Sequence, residues 1–432
     1  MPDQVIHLKA GLPAKLAMLL LVSLGLLSSW FIIRWHVGNT IAEYFTPDER
    51  RQEMAEMAVA WAPKDPLPHW RLGSLIQREM PPDQIGQSVA AFEKAVSLAP
   101  NDYRFWMSLG QALEQAGDAE KAEKALREAV RLAPAYAYPR WYLGNLLVRS
   151  DRYDEAFKEL RQASNENPQL QSQLFNLAWQ INKDDFESLK TSIGNTPDVR
   201  AQFSQYLLER GHFDEGLRLW HTLSETERRA RRYAADPIVV RLISAKRFHQ
   251  ALEVWNDVAP GPAYRGAFGR IIDRSFEDNV AHGRDAVFGW QVQSESQVQM
   301  GIDAGVGHQG RRSLRLFFQV RSKLEGINAS QLVPVEPNTQ YDFECYVRTE
   351  RLESASTPYI AIFDAADDKF LVASTPARDG NNNWERIALS FKSGEKTEAV
   401  RIKIVRSPCP DNAVCPIFGT VWYDDFDLKP RK

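Results

Sequence analysis

The spacing of apolar positions changes twice along the chain, and each spacing predicts a different element. Leu16 to Ile33 is an uncharged run between Lys15 and Arg34. As a helix it is about 27 Å long, close to the hydrocarbon thickness of a bilayer. Trp30 and Trp35 sit near one end, where amphipathic rings favour the interface. A cleaved signal peptide needs a shorter apolar core and small residues at a cleavage site. This run ends in Ser29-Trp30-Phe31-Ile32-Ile33-Arg34-Trp35, so the expectation is an uncleaved transmembrane helix over 16–35, after an N-terminus at 1–15 and before a helical lead-in at 36–65.

From residue 66 the apolar positions recur at helical spacing, in pairs of helices. Trp70-Arg71-Leu72-Gly73 returns as Trp106-Met107-Ser108-Leu109-Gly110 and as Trp141-Tyr142-Leu143-Gly144. A second apolar helix follows each, over 91–95, 125–129 and 159–163, and ends before Pro100, Pro134 and Pro168. The prolines are spaced 34 and 34, the glycines 37 and then 34, with the surplus in the turn Glu79-Met80-Pro81-Pro82-Asp83. Gly and Ala let two helices approach closely, an aromatic fills the gap to the next pair, and proline stops the second helix. Beyond Pro168 the pattern decays, yet Gly211 to Trp220 and Lys246 to Trp255 are alike, with their Trp 35 apart. Three good repeats over 66–168 are therefore followed by degenerate ones over 169–262.

These residues resemble the tetratricopeptide repeat family. Gly110, Ala122, Ala129 and Pro134 stand at its packing positions, as do Gly144, Ala156, Ala163 and Pro168. The resemblance implies a solenoid whose inner groove docks protein partners, in a family not known for catalysis.

Past about Ile271 the period falls to two. Residues 312–320, 341–349, 358–364, 385–392 and 399–406 alternate, separated by turns such as Glu336-Pro337-Asn338-Thr339 and Asp379-Gly380-Asn381-Asn382-Asn383. Short strands at this spacing predict an antiparallel sandwich over 263–432. Cys345 falls on the apolar side of its strand, as a small buried hydrophobe.

The order of landmarks is similar to the jelly-roll carbohydrate-binding modules. Ser275-Phe276-Glu277 and Phe288-Gly289-Trp290 open the domain, Gly310 to Leu316 and Val333 to Pro337 follow, then Val347-Arg348-Thr349 and Trp384, and Val421 to Leu428 closes it. That resemblance implies a structural calcium held by Glu277 with Asp424 or Asp425, helped by carbonyls of the 310–313 loop. Edge hydrogen bonding by the same carboxylates stays open beside it. For glycan binding the sequence departs from the family: 319–328 has no Trp or Tyr. A platform would then come from Trp290 or Tyr359, with Arg348 or Arg406 as hydrogen-bonding partners. The other reading makes Trp290, Trp384 and Trp422 core residues. Asp424 and Asp425, adjacent on a strand, are expected to point to opposite faces.

Charge adds little. A net charge of −3 gives no reason to expect nucleic acid. The run Arg228, Arg229, Arg231, Arg232, beside Glu225 and Glu227, reads as a solvated turn rather than a polyanion site. Lys and Arg on the two sides of the apolar run are too balanced to orient it. Cysteines tip that balance: Cys409 and Cys415 bracket a short loop between β-like segments, and a bridge there would add roughly 2 kcal/mol in an oxidising compartment. Two unrelated thiols remain the alternative. The topology expected is an inner (cytoplasmic) membrane anchor with the bulk of the chain periplasmic. No nucleotide loop, metalloprotease motif or nucleophile elbow occurs, so no catalytic residue is assigned. The functional expectation is a scaffold docking protein partners, in cell-surface polysaccharide assembly or export. A glycan-binding protein, or an assembly factor for a pilus or respiratory complex, stays open beside it.

Overall fold

The computed structural model describes residues 11–44, 51–79, 84–278, 287–294, 297–321, 324, 326–409 and 414–431. Residues 1–10, most of the turn at 79–83, part of the aromatic-free stretch 319–328 and the loop interior at 410–413 lie outside it. The chain forms two compact units, Met1–Gly194 and Asn195–Lys432.

In the first unit, helix α1 (Leu12–Tyr44) is 33 residues long, about 50 Å and well beyond a bilayer core of about 30 Å. It is long and apolar enough to cross a membrane. Residues 12–33 are exposed, whereas Gly38 and Ala42 are buried against α2 (Arg51–Trp61). A Cβ at Gly38 would lie 2.6 Å from the Ala62 Cβ, so only glycine admits this approach. Arg34 donates to the carbonyls of Ala60 and Trp61. Asp65 accepts from Asn39 and caps α3 (Pro66–Glu79) through the Leu67 amide. The C-terminal end of the apolar helix is thus fastened to the helical array.

Three helix pairs follow: α3 with α4 (Ile85–Leu98), α5 (Tyr103–Gln115) with α6 (Ala119–Leu132), and α7 (Ala137–Arg149) with α8 (Tyr153–Glu166). The glycines explain the spacing. At Gly110 a Cβ would meet the Leu126 Cγ at 2.6 Å, and at Gly144 the Leu160 Cγ at the same 2.6 Å. Asp102 caps α5 and Asp118 caps α6 with side-chain oxygens on backbone N–H groups. A fourth pair, α9 (Gln171–Asn182) and α10 (Phe186–Ile193), closes this unit.

The second unit opens with α11 (Pro197–Glu209), α12 (Phe213–His221), α13 (Glu225–Arg229), α14 (Arg232–Ser244) and α15 (Phe248–Val258). The arginine run is consumed internally: Arg228 pairs with Asp257, Arg229 with Glu225, Arg231 with Asp198 and Arg232 with Asp236.

Among the described residues, ten strands then build two five-stranded antiparallel sheets. The first runs β1 (Trp290–Val292), β4 (Ala329–Pro334), β9 (Ala399–Val405), β6 (Tyr359–Asp364), β7 (Phe370–Ala373). The second runs β2 (Val298–Asp303), β3 (Ser313–Val320), β10 (Ile417–Pro430), β5 (Gln340–Glu353), β8 (Gly380–Lys392). Between them lie Leu314, Leu316, Phe343, Cys345, Ile360, Ile402, Tyr423 and Phe426, all fully buried. Helix α15 packs on the far side of the first sheet, where Leu332 and Ala399 join Phe248, Leu252, Trp255 and Phe288 in one apolar cluster. His249 locks that seam, its ring on the Val335 carbonyl at 2.8 Å and its amide on Glu398.

Candidate functional sites

In the first unit the first helix of each pair forms an inner layer, since α5 packs on both α3 and α7 besides its own partner. Three large side chains recur on that layer: Trp70, Met107 and Trp141 each precede the packing glycine by three residues, and each is half-buried. Phe175 holds the same place before Ala178 but is buried. The Trp70 indole donates to the Ser108 hydroxyl at 2.9 Å, tying one repeat to the next. Trp106, one position earlier in its repeat, instead donates to the Pro100 carbonyl within its own turn. Arg149 bridges to Glu114 at the other end of the layer. The result is an apolar stripe with a polar border, suited to the side chains of an extended peptide. A second recess of about 800 Å³ lies beside α8 and α10, around Arg161, Asn182 and Glu187. Arg161 is spent there on the last carbonyls of α10, Thr191 and Ser192, and burial lowers its pKa.

In the sandwich the expected platform residues are scattered. Trp290 is only 1% exposed and packs on Phe276 and Phe426, so it presents no face to a sugar. Arg406 is also committed: it donates to the carbonyls of Ser356 and Cys415 and to the Ser354 hydroxyl, and burial lowers its pKa. Tyr359 is half-buried on the first sheet and accepts from the Ser407 hydroxyl. Arg348 lies on the second sheet, over the Trp422 ring at 5.4 Å. The four do not converge. Cys409 and Cys415 form a disulfide with their Cα atoms 5.8 Å apart. Cys345 is a buried thiol whose pKa burial pushes well up.

The carboxylates expected to hold calcium are engaged with N–H groups. Glu277 accepts from the amides of Arg311 and Arg312 at 2.6 and 2.7 Å. Asp424 accepts from the His308 and Asp425 amides, and Asp425 faces the His308 ring nitrogen at 2.7 Å. Both amides fall on one Glu277 oxygen, and these contacts fit the edge hydrogen bonding that stood beside the calcium reading. The expectation that Asp424 and Asp425 point to opposite faces needs correction. A bulge between Asp424 and Asp427, with Asp425 at φ 48°, resets the alternation, and both carboxylates reach His308. Burial pushes the Asp424 carboxyl up to about 6, against the amides of His308 and Asp425 that hold it down.

The sequence reading missed the outward face of the second sheet. Leu314, Leu316, Val347 and Val421 point to the core, so Arg315, Phe317, Tyr346, Arg348 and Trp422 point away from it. Trp384 joins them, half-buried, beside a His308 ring stacked 3.7 Å from Tyr346. Trp384 is therefore half-buried on that face, whereas Trp422, on the same face, is itself buried at 5% exposure. Strict period-two counting from Leu316 and Val421 would have found Arg315 and Trp422; the bulges in β5 and β8 hide Trp384.

Models of the tetratricopeptide repeat match residues 83–137 and 114–181, and this stretch is a tetratricopeptide array, which supports a protein-interaction scaffold. No curated protein gives a significant match. Among solved structures the chain is similar to YrrB, described as a tetratricopeptide repeat protein with an unusual peptide-binding site, at 18% identity and TM-score 0.26 over 48% of this chain and 91% of that one. It is also similar to MamA from Desulfovibrio magneticus RS-1, at 18% identity and TM-score 0.31 over 38% and 90%. A further MamA structure matches at 12% identity and TM-score 0.29 over 51% and 96%.

Proposed function

We propose that this protein is a membrane-anchored, extracytoplasmic scaffold whose repeats dock protein partners in cell-surface polysaccharide assembly or export. The observation that carries the docking role is the recurring half-buried stripe of Trp70, Met107 and Trp141 on the inner helices. Packing of α1 on the array supports the tether, because Gly38, Arg34 and Asn39 fasten the helix to residues 60–65. The Cys409–Cys415 disulfide supports an oxidising compartment and hence the periplasmic side. Pairing of the array with a sandwich resembling carbohydrate-binding modules supports the polysaccharide pathway, an argument by association of domains.

The test is affinity purification of the full-length protein from gently crosslinked membranes, followed by mass spectrometry. Glycosyltransferases, a polymerase or an export component are expected with the wild-type chain and lost with Met107→Glu, while membrane attachment and helical content persist. Recovery of pilus or respiratory subunits would keep the scaffold and refute the polysaccharide pathway.

A further inference from the structure

The uncharged run of α1 ends at Ile33, and residues 34–44 carry the helix about 16 Å further. Helix α2 then comes back. Its last turn arrives beside the start of that extension: Arg34 donates to the carbonyls of Ala60 and Trp61, Ala62 packs on Gly38, and Asp65 accepts from Asn39. The turn 61–65 is therefore level with residues 34–39 of α1, within about 9 Å of Ile33 along the axis. This is the depth of the headgroup layer, which adds roughly 5–8 Å to each side of the hydrocarbon core.

Antiparallel packing carries the same edge through the array. Helix α3 leaves the turn 61–65 and α4 returns, so the turns before α5 and α7, at 99–102 and 133–136, fall on the edge that holds Trp61. The Tyr103 and Tyr136 rings at these turns lie 5.0 Å apart. Among the described residues of 51–194, the exposed aromatic side chains are Trp61, Tyr136, Tyr138 and Tyr153, and of these Tyr153 alone is on the opposite edge. The charges differ too. On the first edge Asp65 is taken by Asn39 and the Leu67 amide, Asp102 pairs with Arg104 and Glu128 with Arg131, and Lys64 is exposed. On the opposite edge acids outnumber bases, with Asp118 and Glu120 beside Lys121, and Asp184, Asp185 and Glu187 beside Lys183. Indole and phenol rings with a polar end settle where hydrocarbon meets water, whereas anionic headgroups repel an acidic edge. An edge that begins in the headgroup layer, carries exposed aromatics and has its acids engaged fits a lipid surface.

We propose that this edge of the array, from Trp61 to Tyr138, rests on the lipid headgroups, so that the first repeats lie along the membrane surface. This rests on the membrane anchor of the reading above and adds a second contact with the same bilayer.

The experiment places the full-length protein in nanodiscs of phosphatidylethanolamine and phosphatidylglycerol, doped with a lipid that carries a gadolinium chelate on its headgroup. A nitroxide is attached to one introduced cysteine at a time. Cys409 and Cys415 are paired and Cys345 is buried, so the label goes to the new thiol. Gadolinium is expected to speed nitroxide relaxation severalfold at Lys64→Cys, Asn101→Cys and Ala135→Cys, and to leave Glu120→Cys, on the opposite edge, near its value without gadolinium. Tyr136→Glu combined with Tyr138→Glu, both at exposed positions, should weaken the effect at 101 and 135 and keep it at 64. Relaxation at 64 alone would show that the array stands off the bilayer, and overturns the contact. An edge reserved for a protein partner gives that same result, because these discs hold lipid only. Equal relaxation on both edges overturns it as well. Release of the protein from membranes by alkaline carbonate would refute the anchor itself. Retention without relaxation at 101 and 135 would refute this contact alone.

Discussion

Glycines mark the contrast between the repeats and the sandwich. Gly110 and Gly144 have the same surroundings: a Leu Cγ at 2.6 Å and an Ala carbonyl oxygen at 3.2 Å, in both cases from the partner helix of the same pair. In the sandwich no such pairing occurs. Gly419 sits at φ 103° with the carbonyl of Arg351 where a Cβ would be, while Gly301 faces open space. The repeats are packed by neighbours a fixed, short distance along the chain. The sandwich is packed by strands far apart in sequence, such as β3 against β10 and β5 against β10, so each position has its own environment.

That contrast can be broken in several ways, from the largest effect down. Phe426→Ala removes a ring fully buried against Trp290, Phe276 and Phe343, and should cost about 3–5 kcal/mol. In denaturant, near-UV circular dichroism should report early loss of the sandwich while the helical far-UV signal survives. Simultaneous loss of both would show that the two regions unfold as one.

Asp424 supplies a pH test of the sandwich. Its carboxyl is raised to about 6 in the folded chain, against about 3.9 when unfolded. Between those values the folded state holds a proton that the unfolded chain has released, so its contribution is complete below about pH 4 and is lost as pH rises through 6. The swing is at most about 3 kcal/mol. Urea midpoints at pH 4 and 7 should fall with rising pH in the wild type, with that slope reduced in Asp424→Asn.

In the repeats, Gly144→Leu and Gly110→Leu should each destabilise by about 1–3 kcal/mol through overpacking, and by similar amounts, because the two sites are equivalent. Gly301→Ala should stay within about 0.5 kcal/mol. Unequal costs at Gly110 and Gly144 would show that the repeats are not interchangeable. Reduction of Cys409–Cys415 should cost roughly 2 kcal/mol, read as a lower melting temperature with reductant. The smallest effect is expected from calcium. With Asp424 and one oxygen of Glu277 taken by amides, added calcium or EDTA should leave the melting temperature unchanged, and a rise with calcium would establish the cage.

Much of the architecture was legible from periodicity alone. The apolar run is long enough to be a spanning helix without reference to anything else, and helix pairs 34 residues apart declare themselves because their contacts are local. Strands at 312–320, 341–349 and 399–406 were also visible, because an inward face is written in alternate residues. Tertiary structure alone decided which face each aromatic serves. Trp290, on β1, went to the core, and Trp384 stayed half-buried on β8, where register shifts between β5 and β8 break the alternation. The bulge in β10 turned Asp424 and Asp425 onto the same histidine. Tertiary structure also decided that α15 covers one sheet, while Arg315 and Arg348 stand half-buried on the outward face of the other. A periodic pattern encodes contacts between near neighbours, whereas register, bulges and coverage depend on which distant segments meet, and that is settled only when the chain has folded.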